Sequence, residues 1–233
     1  MTGQYRNLYK PRYKPLKFSE GKMGKVSVVS LLSCLLLLRL NCVKSNTPLA
    51  PALYVFGDSL VDGGNNNYLQ SYAKANYPPY GKSFWNGQAS GRFTNGKTPT
   101  DYIAEFLKLP WPPAILSLSD EWRKKTITGV NYASAGCGII PETGVQLGCM
   151  NFDKQIDLFT RTVNNDLPNQ YKTSKELSDH LAKSIFVVII GSNDYLNYYL
   201  MAPMKSKHIT SKAFATSLIG ELSNRLEVNN FRD

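Results

Sequence analysis

Histidine is scarce in this 233-residue sequence, which contains only His180 and His208. Any chemistry that needs an imidazole base therefore has two candidates. Cysteine is also sparse, with four residues, and there is no CxxC pair or Cys/His cluster at zinc spacing. That removes the common signatures of a structural zinc site. No Asn-x-Ser/Thr glycosylation sequon occurs. The longest uncharged apolar run, from Val26 to Leu38, has 13 residues. A membrane-spanning helix needs about 20. No internal repeat or low-complexity tract interrupts residues 46–233.

Basic residues exceed acidic ones by 27 to 17, and a formal charge of +10 would suit a nucleic acid or an anionic membrane. The surplus is uneven. Residues 1–45 carry nine Lys/Arg and one Glu, a net of +8, whereas residues 46–233 carry 18 Lys/Arg and 16 Asp/Glu, a net of +2. The body is nearly neutral, so no nucleic-acid partner is expected. Hydrophobic residues at 42% and charged residues at 19% exclude a wholly disordered chain. The length is enough to bury a core without disulfide or metal staples.

The organisation falls into three parts. Residues 1–22 are a polar, basic extension. Residues 23–45 read as a secretory signal peptide: Lys22 and Lys25 precede the apolar run, and small residues Val43 and Ser45 suit cleavage after Ser45. Export to the outside of the cell, with no membrane span after cleavage, is the expectation; a signal anchor that holds the protein at a membrane is the alternative. Residues 46–233 form the body. Cys34 and Cys42 leave with the leader, and Cys137 and Cys149 remain. In an oxidising compartment these two can close a short loop as a disulfide; two free thiols are the alternative.

Within the body, Leu53–Phe56, Val130–Ala133 and Ile185–Ile190 read as short strands. The last, six apolar residues without alternation, suggests burial on both faces as in a parallel sheet. Residues 76–98 read as a long surface loop. Thr98-Pro99 opens a helix whose apolar face is Tyr102, Ile103, Phe106 and Leu107. Phe152, Ile156, Phe159 and Val163 recur at helical spacing, and residues 174–183 and 210–228 also read as helices. Strands alternating with helices predict an α/β layered fold.

Each strand runs into a small or polar cluster: Gly57-Asp58-Ser59, Ser134-Ala135-Gly136 and Gly191-Ser192-Asn193-Asp194. The carboxyl ends of parallel strands share one edge, where ligands bind. Ser59, Gly136 and Asn193 offer a hydroxyl, an unobstructed backbone N–H and a side-chain amide. That set suits acyl transfer, in which a serine attacks a carbonyl and N–H groups receive the developing oxyanion. Plainer roles compete: helix capping for Ser59, a positive φ for Gly136 and a turn for Asn193. Asp58 and Asp194 read as local acceptors, Asp62 as a turn residue, and Tyr195, Tyr198 and Tyr199 as packing residues.

Four ordered blocks go further: VFGDSLVDGGNNNYL (55–69), GRFTNGKTPTDYIAEFLKLP (91–110), GVNYASAGCGI (129–139) and FVVIIGSNDYL (186–196). Together they resemble the plant GDSL esterase/lipase family of the SGNH hydrolase superfamily. The resemblance implies a three-layer α/β/α sandwich with a mainly parallel, flavodoxin-like sheet. It implies Ser59 as nucleophile and an oxyanion hole built from Ser59, Gly136 and Asn193. It implies carboxylic ester substrates, among them acyl lipids and acetylated carbohydrates, and no metal or other cofactor.

One part of the pattern is missing. The family carries its catalytic Asp and His in a late D-x-x-H block, and none occurs here; Leu177 and Lys205 stand three residues before the two histidines. His180 reads as a solvated residue on a surface helix and His208 as part of a basic loop. The expectation is a domain incomplete at its C-terminal side, with an exposed sheet edge and weak turnover. The alternative is a non-catalytic relative that binds an ester or glycan.

Overall fold

A computed structural model describes residues 47–84, 86–201 and 209–228. Residues 1–46, which hold the expected extension and leader with Cys34 and Cys42, and His208 lie outside the described residues. The sheet begins with β1, Leu53–Gly57, all five residues of which are buried. Side chains alternate along a strand. Tyr54 and Phe56 therefore enter one apolar cluster with Phe152, Ile156 and Phe159, while Leu53 and Val55 enter another with Ala104 and Leu107.

The second cluster is covered by α1, Pro99–Leu107. Its N-cap Thr98 and Asp101 form a reciprocal capping box, with proline in the first turn. The buried face differs from the one the apolar spacing suggested. Thr100, Asp101, Ala104 and Leu107 point inward, whereas Tyr102 is 60% and Phe106 74% exposed. The reason is electrostatic. The Asp101 carboxylate takes both the cap and a two-pronged bond from Arg92, at 2.8 and 2.9 Å, and this turns its side of the helix into the protein.

A short helix, α2 (Asp120–Lys125), follows. The first cluster is covered by α3, Phe152–Arg161, which is capped by Asn151 and continues as a π turn over Thr162–Asp166. Next comes α4, Ser174–Lys183, capped by Thr173. Strand β2, Ile185–Ile189, then pairs in parallel with β1, from Leu53 opposite Ile185 to Gly57 opposite Ile189. The last described helix is α5, Ser211–Val228. The expected strand at 130–133 is reduced to a bridge: Asn131 pairs in parallel with both Val55 and Ala114. The order across the sheet is thus β2, β1, Asn131, Ala114, with α1 on one face and α3 on the other. This is the α/β/α layering expected from the sequence.

β2 corrects one expectation. Its residues are only half-buried, with Ile185 39% and Phe186 36% exposed. The strand pairs with β1 on one side, and no described strand pairs with its other side. An uninterrupted apolar run signals burial only when neighbours cover both faces and both edges.

Candidate active site

The site is assembled at the carboxyl end of β1. Gly57 closes the strand at φ +148°, and a Cβ there would strike the Ile189 carbonyl of β2, so glycine permits the close approach. The buried Gln155 of α3 clasps the same residue: its Oε1 accepts the Gly57 N–H at 2.9 Å, and its Nε2 donates to the Gly57 carbonyl at 3.0 Å. The Ser134 N–H also donates to that carbonyl, which brings the second segment alongside the first. Strand end, helix and loop are thereby pinned to one residue.

Asp58 and Ser59 come next. The fully buried Asp58 accepts the Leu60 N–H at 3.0 Å through Oδ1 and the Ser192 hydroxyl at 2.7 Å through Oδ2. Burial pushes its carboxyl above the usual range, although both hydrogen bonds pull the other way. The Asn193 amide nitrogen donates to the Cys137 carbonyl at 2.9 Å and lies 3.5 Å from Asp58 Oδ2. Asn193 therefore bridges the residue before Ser59 and the residue after Gly136. Through these bonds the structure brings together all three positions singled out in the sequence.

Among the described residues, the Ser59 hydroxyl, the Ser59 N–H and the Gly136 N–H make no hydrogen bond. No helix starts at Ser59, so it caps none. Gly136 does adopt a positive φ, +91°. That conformation accounts for the glycine but not for an N–H without a protein partner in a buried residue, a group that needs a ligand or a water to satisfy it. A disulfide joins Cys137 to Cys149, with Cα atoms 5.7 Å apart.

The GDSL-like Lipase/Acylhydrolase family model matches residues 53–232. The chain belongs to this family. It is 46% identical over 202 residues to GDSL esterase/lipase 7 of Arabidopsis thaliana, covering 83% of this chain and 55% of that protein. A second Arabidopsis thaliana GDSL esterase/lipase is 57% identical over 151 residues, 64% of this chain and 47% of the relative. A third is 39% identical over 209 residues, 88% and 56%. The GDSL chain therefore spans about half the length of the curated relatives it matches.

His180 of this GDSL chain is not at the serine. It lies on α4 with its ring 5.1 Å from Tyr171 and its Nε2 3.3 Å from the Tyr54 hydroxyl, beside the amino-terminal half of β1. It is half-buried rather than solvated, and burial holds its pKa below the ordinary histidine value. The spacing of α4 placed it on a surface helix but could not show that Tyr171, from the preceding turn, folds over it. Asp194 is an acceptor but not a local one: it takes the Ile139 and Ile140 N–H groups at 2.8 and 2.9 Å and the Thr143 hydroxyl at 2.9 Å, all from a loop more than fifty residues earlier. Gly138 leaves room for that carboxylate. Tyr195, Tyr198 and Tyr199 pack around Phe214 of α5.

Asp62 is more than a turn residue. It is fully buried and accepts the Gly64 and Asn65 N–H groups at 2.7 Å each and the distant Ala135 N–H at 3.1 Å. Asn65, Asn66, Asn131 and Gln155 are likewise buried, with their amides bonded. The run of three asparagines was visible in the sequence as turn chemistry. Its partners lie some seventy residues away and were not. Among the described residues there is no cluster of three or more metal-ligating side chains. No described helix is long and apolar enough to cross a membrane.

Proposed function

We propose that this chain carries the nucleophile and oxyanion donors of a GDSL-type carboxylic ester hydrolase acting on small-molecule or lipid esters. The observation that supports this most is the Ser59 hydroxyl together with two unpartnered backbone N–H groups, those of Ser59 and Gly136. Asn193 Nδ2 keeps one hydrogen on the Cys137 carbonyl and becomes the third donor when a substrate oxygen replaces its 3.5 Å contact with Asp58. In this reading Ser59 Oγ bonds to the ester carbonyl carbon, and the carbonyl oxygen gains the negative charge that the three donors receive. The alcohol then leaves, and water releases the acid from the acyl-serine. The hydroxyl proton must pass to a base, and none of the described residues brings an imidazole to Ser59. The 233 residues contain no D-x-x-H, so turnover by this chain alone is expected to be weak, at the level left when a triad member is removed.

The test is labelling by a fluorophosphonate, alongside hydrolysis of a p-nitrophenyl ester, in wild type and Ser59→Ala. Labelling that disappears in the variant supports the reading; equal labelling of both removes Ser59 from its role. Among the described residues no histidine lies near Ser59, which is the observation behind a second reading, an ester- or glycan-binding relative without turnover. Saturable ester binding with no Ser59-dependent reaction would select it. The uncharged run from Val26 to Leu38, preceded by Lys22 and Lys25, supports a leader at residues 23–45 and export of the protein, with a mature N-terminus near Asn46; retention of residues 23–45 at a membrane would contradict it.

A further inference from the structure

We infer that Asn66 is a positioning residue that aims the Gly136 N–H into the oxyanion site. This rests on the proposed role of Gly136 as a donor. A trans peptide is planar, and its C=O and N–H point in opposite directions. The only cis peptide among the described residues is Pro78-Pro79, so the Ala135–Gly136 peptide is trans. Its carbonyl, that of Ala135, accepts a hydrogen bond from Asn66 Nδ2 at 3.0 Å. Holding that oxygen against Asn66 turns the Gly136 N–H the other way, where no described group takes it.

The Asn66 side chain is itself held in one orientation. Its Oδ1 accepts the Ser134 hydroxyl at 2.6 Å and the Ala135 N–H at 3.1 Å. Its Nδ2 faces the Ala73 and Ala135 carbonyls, each at 3.0 Å, and the Ser71 hydroxyl at 3.3 Å. A flipped amide would set its oxygen against two carbonyls and its NH₂ against an N–H, so only the observed orientation satisfies these partners. Asp62 takes the Ala135 N–H as well. Both polar groups of Ala135 are therefore anchored by the 62–66 loop, immediately before the peptide that presents the Gly136 N–H. Asn66 is 1% exposed, so it acts through this peptide and not by touching an ester.

The experiment is a titration of the full 233-residue chain with butyrate, a carboxylate of the product class, followed by amide NMR. In wild type the Ser59 and Gly136 amide protons should both move downfield and saturate. Asn66→Asp keeps the shape and the Oδ1 acceptor but removes the donor to Ala135; the Gly136 response should fall at least fivefold while that of Ser59 persists. Ser134→Ala, which removes only one anchor of the Asn66 amide, should give an intermediate loss and guards against failure of the first variant to fold. A Gly136 response retained in full in both folded variants, or in Ser134→Ala if only that variant folds, overturns the inference. A wild-type Gly136 amide that does not respond overturns the oxyanion reading itself, and this inference with it. Loss of both responses in a folded variant assigns Asn66 a general structural role and also overturns the inference.

Discussion

Asp62 carries a cost that depends on pH. An aspartate in an unfolded chain titrates near 3.8, and burial raises Asp62 to about 6 in spite of its backbone N–H bonds. Between those values the folded state holds the proton more tightly. Stability from this group is thus fully present below pH about 4 and is lost as pH rises through about 6. The shift of about two pH units corresponds to roughly 3 kcal/mol at most. Asp58 is shifted in the same direction, while Glu105 and Asp179 are shifted oppositely, so the Asp62 share must be read as a difference. Asp62→Asn keeps an oxygen for the Gly64 and Asn65 N–H groups and removes the charge. Urea unfolding at pH 4.5 and pH 7 should show a smaller fall in stability for the variant than for wild type. Equal falls would mean that the buried carboxylate does not titrate in this window. The turn role of Asp62 was legible in Asp-Gly-Gly. Its burial was not, because the Ala135 N–H that completes its shell arrives only after the chain has made a sheet crossing.

At the scale of elements, the side of β2 with which no described strand pairs is the feature with the clearest consequence. Ile185 begins the strand half-exposed and belongs to neither of the clusters that pack β1. An unpaired apolar edge is a template for pairing with another chain. Ile185→Lys should therefore lower concentration-dependent light scattering while changing unfolding stability by no more than about 1 kcal/mol. Scattering that does not change would show that this edge is not the route of association. Phe186 is a poorer choice for that test, since its ring stacks on Tyr54 at 5.2 Å and meets Phe159 edge-on at 5.6 Å. The elements themselves were largely readable: β1, α1, α3, α4 and α5 fall where periodicity and caps placed them. The inward face of α1 was not, because Asp101 is buried for its bonds to Thr98 and Arg92, which a hydropathy pattern ignores.

For the molecule as a whole, Phe159 is the joint. Its ring meets Tyr54 and Phe56 of β1, Tyr132 beside the Asn131 bridge, and Phe186 of β2, at centroid distances of 5.3 to 6.0 Å. One side chain of α3 thus ties together the three segments whose ends form the site. Phe159→Ala should cost about 3–5 kcal/mol through lost burial and the cavity left behind. Hydrogen exchange should report it as reduced protection in β1, residues 130–137 and β2 together. Loss confined to α3 would show that the sheet holds the site without the helix.

Residue types and their spacing were enough to read the chemistry on offer and the local scaffold. Legible there were a serine after a buried strand, a glycine and an asparagine each after a short apolar run, four ordered GDSL blocks, and caps that start helices. These are short-range facts, set by residue type and by spacing within a few turns. Which groups meet became visible only in the folded chain. Asn66 reaches the Ala135 carbonyl, Asn193 the Cys137 carbonyl, Gln155 the Gly57 peptide and His180 the Tyr54 hydroxyl, over separations of 56 to 126 residues. Such bonds are directional and close only after the layers pack, so no periodicity along the chain announces them.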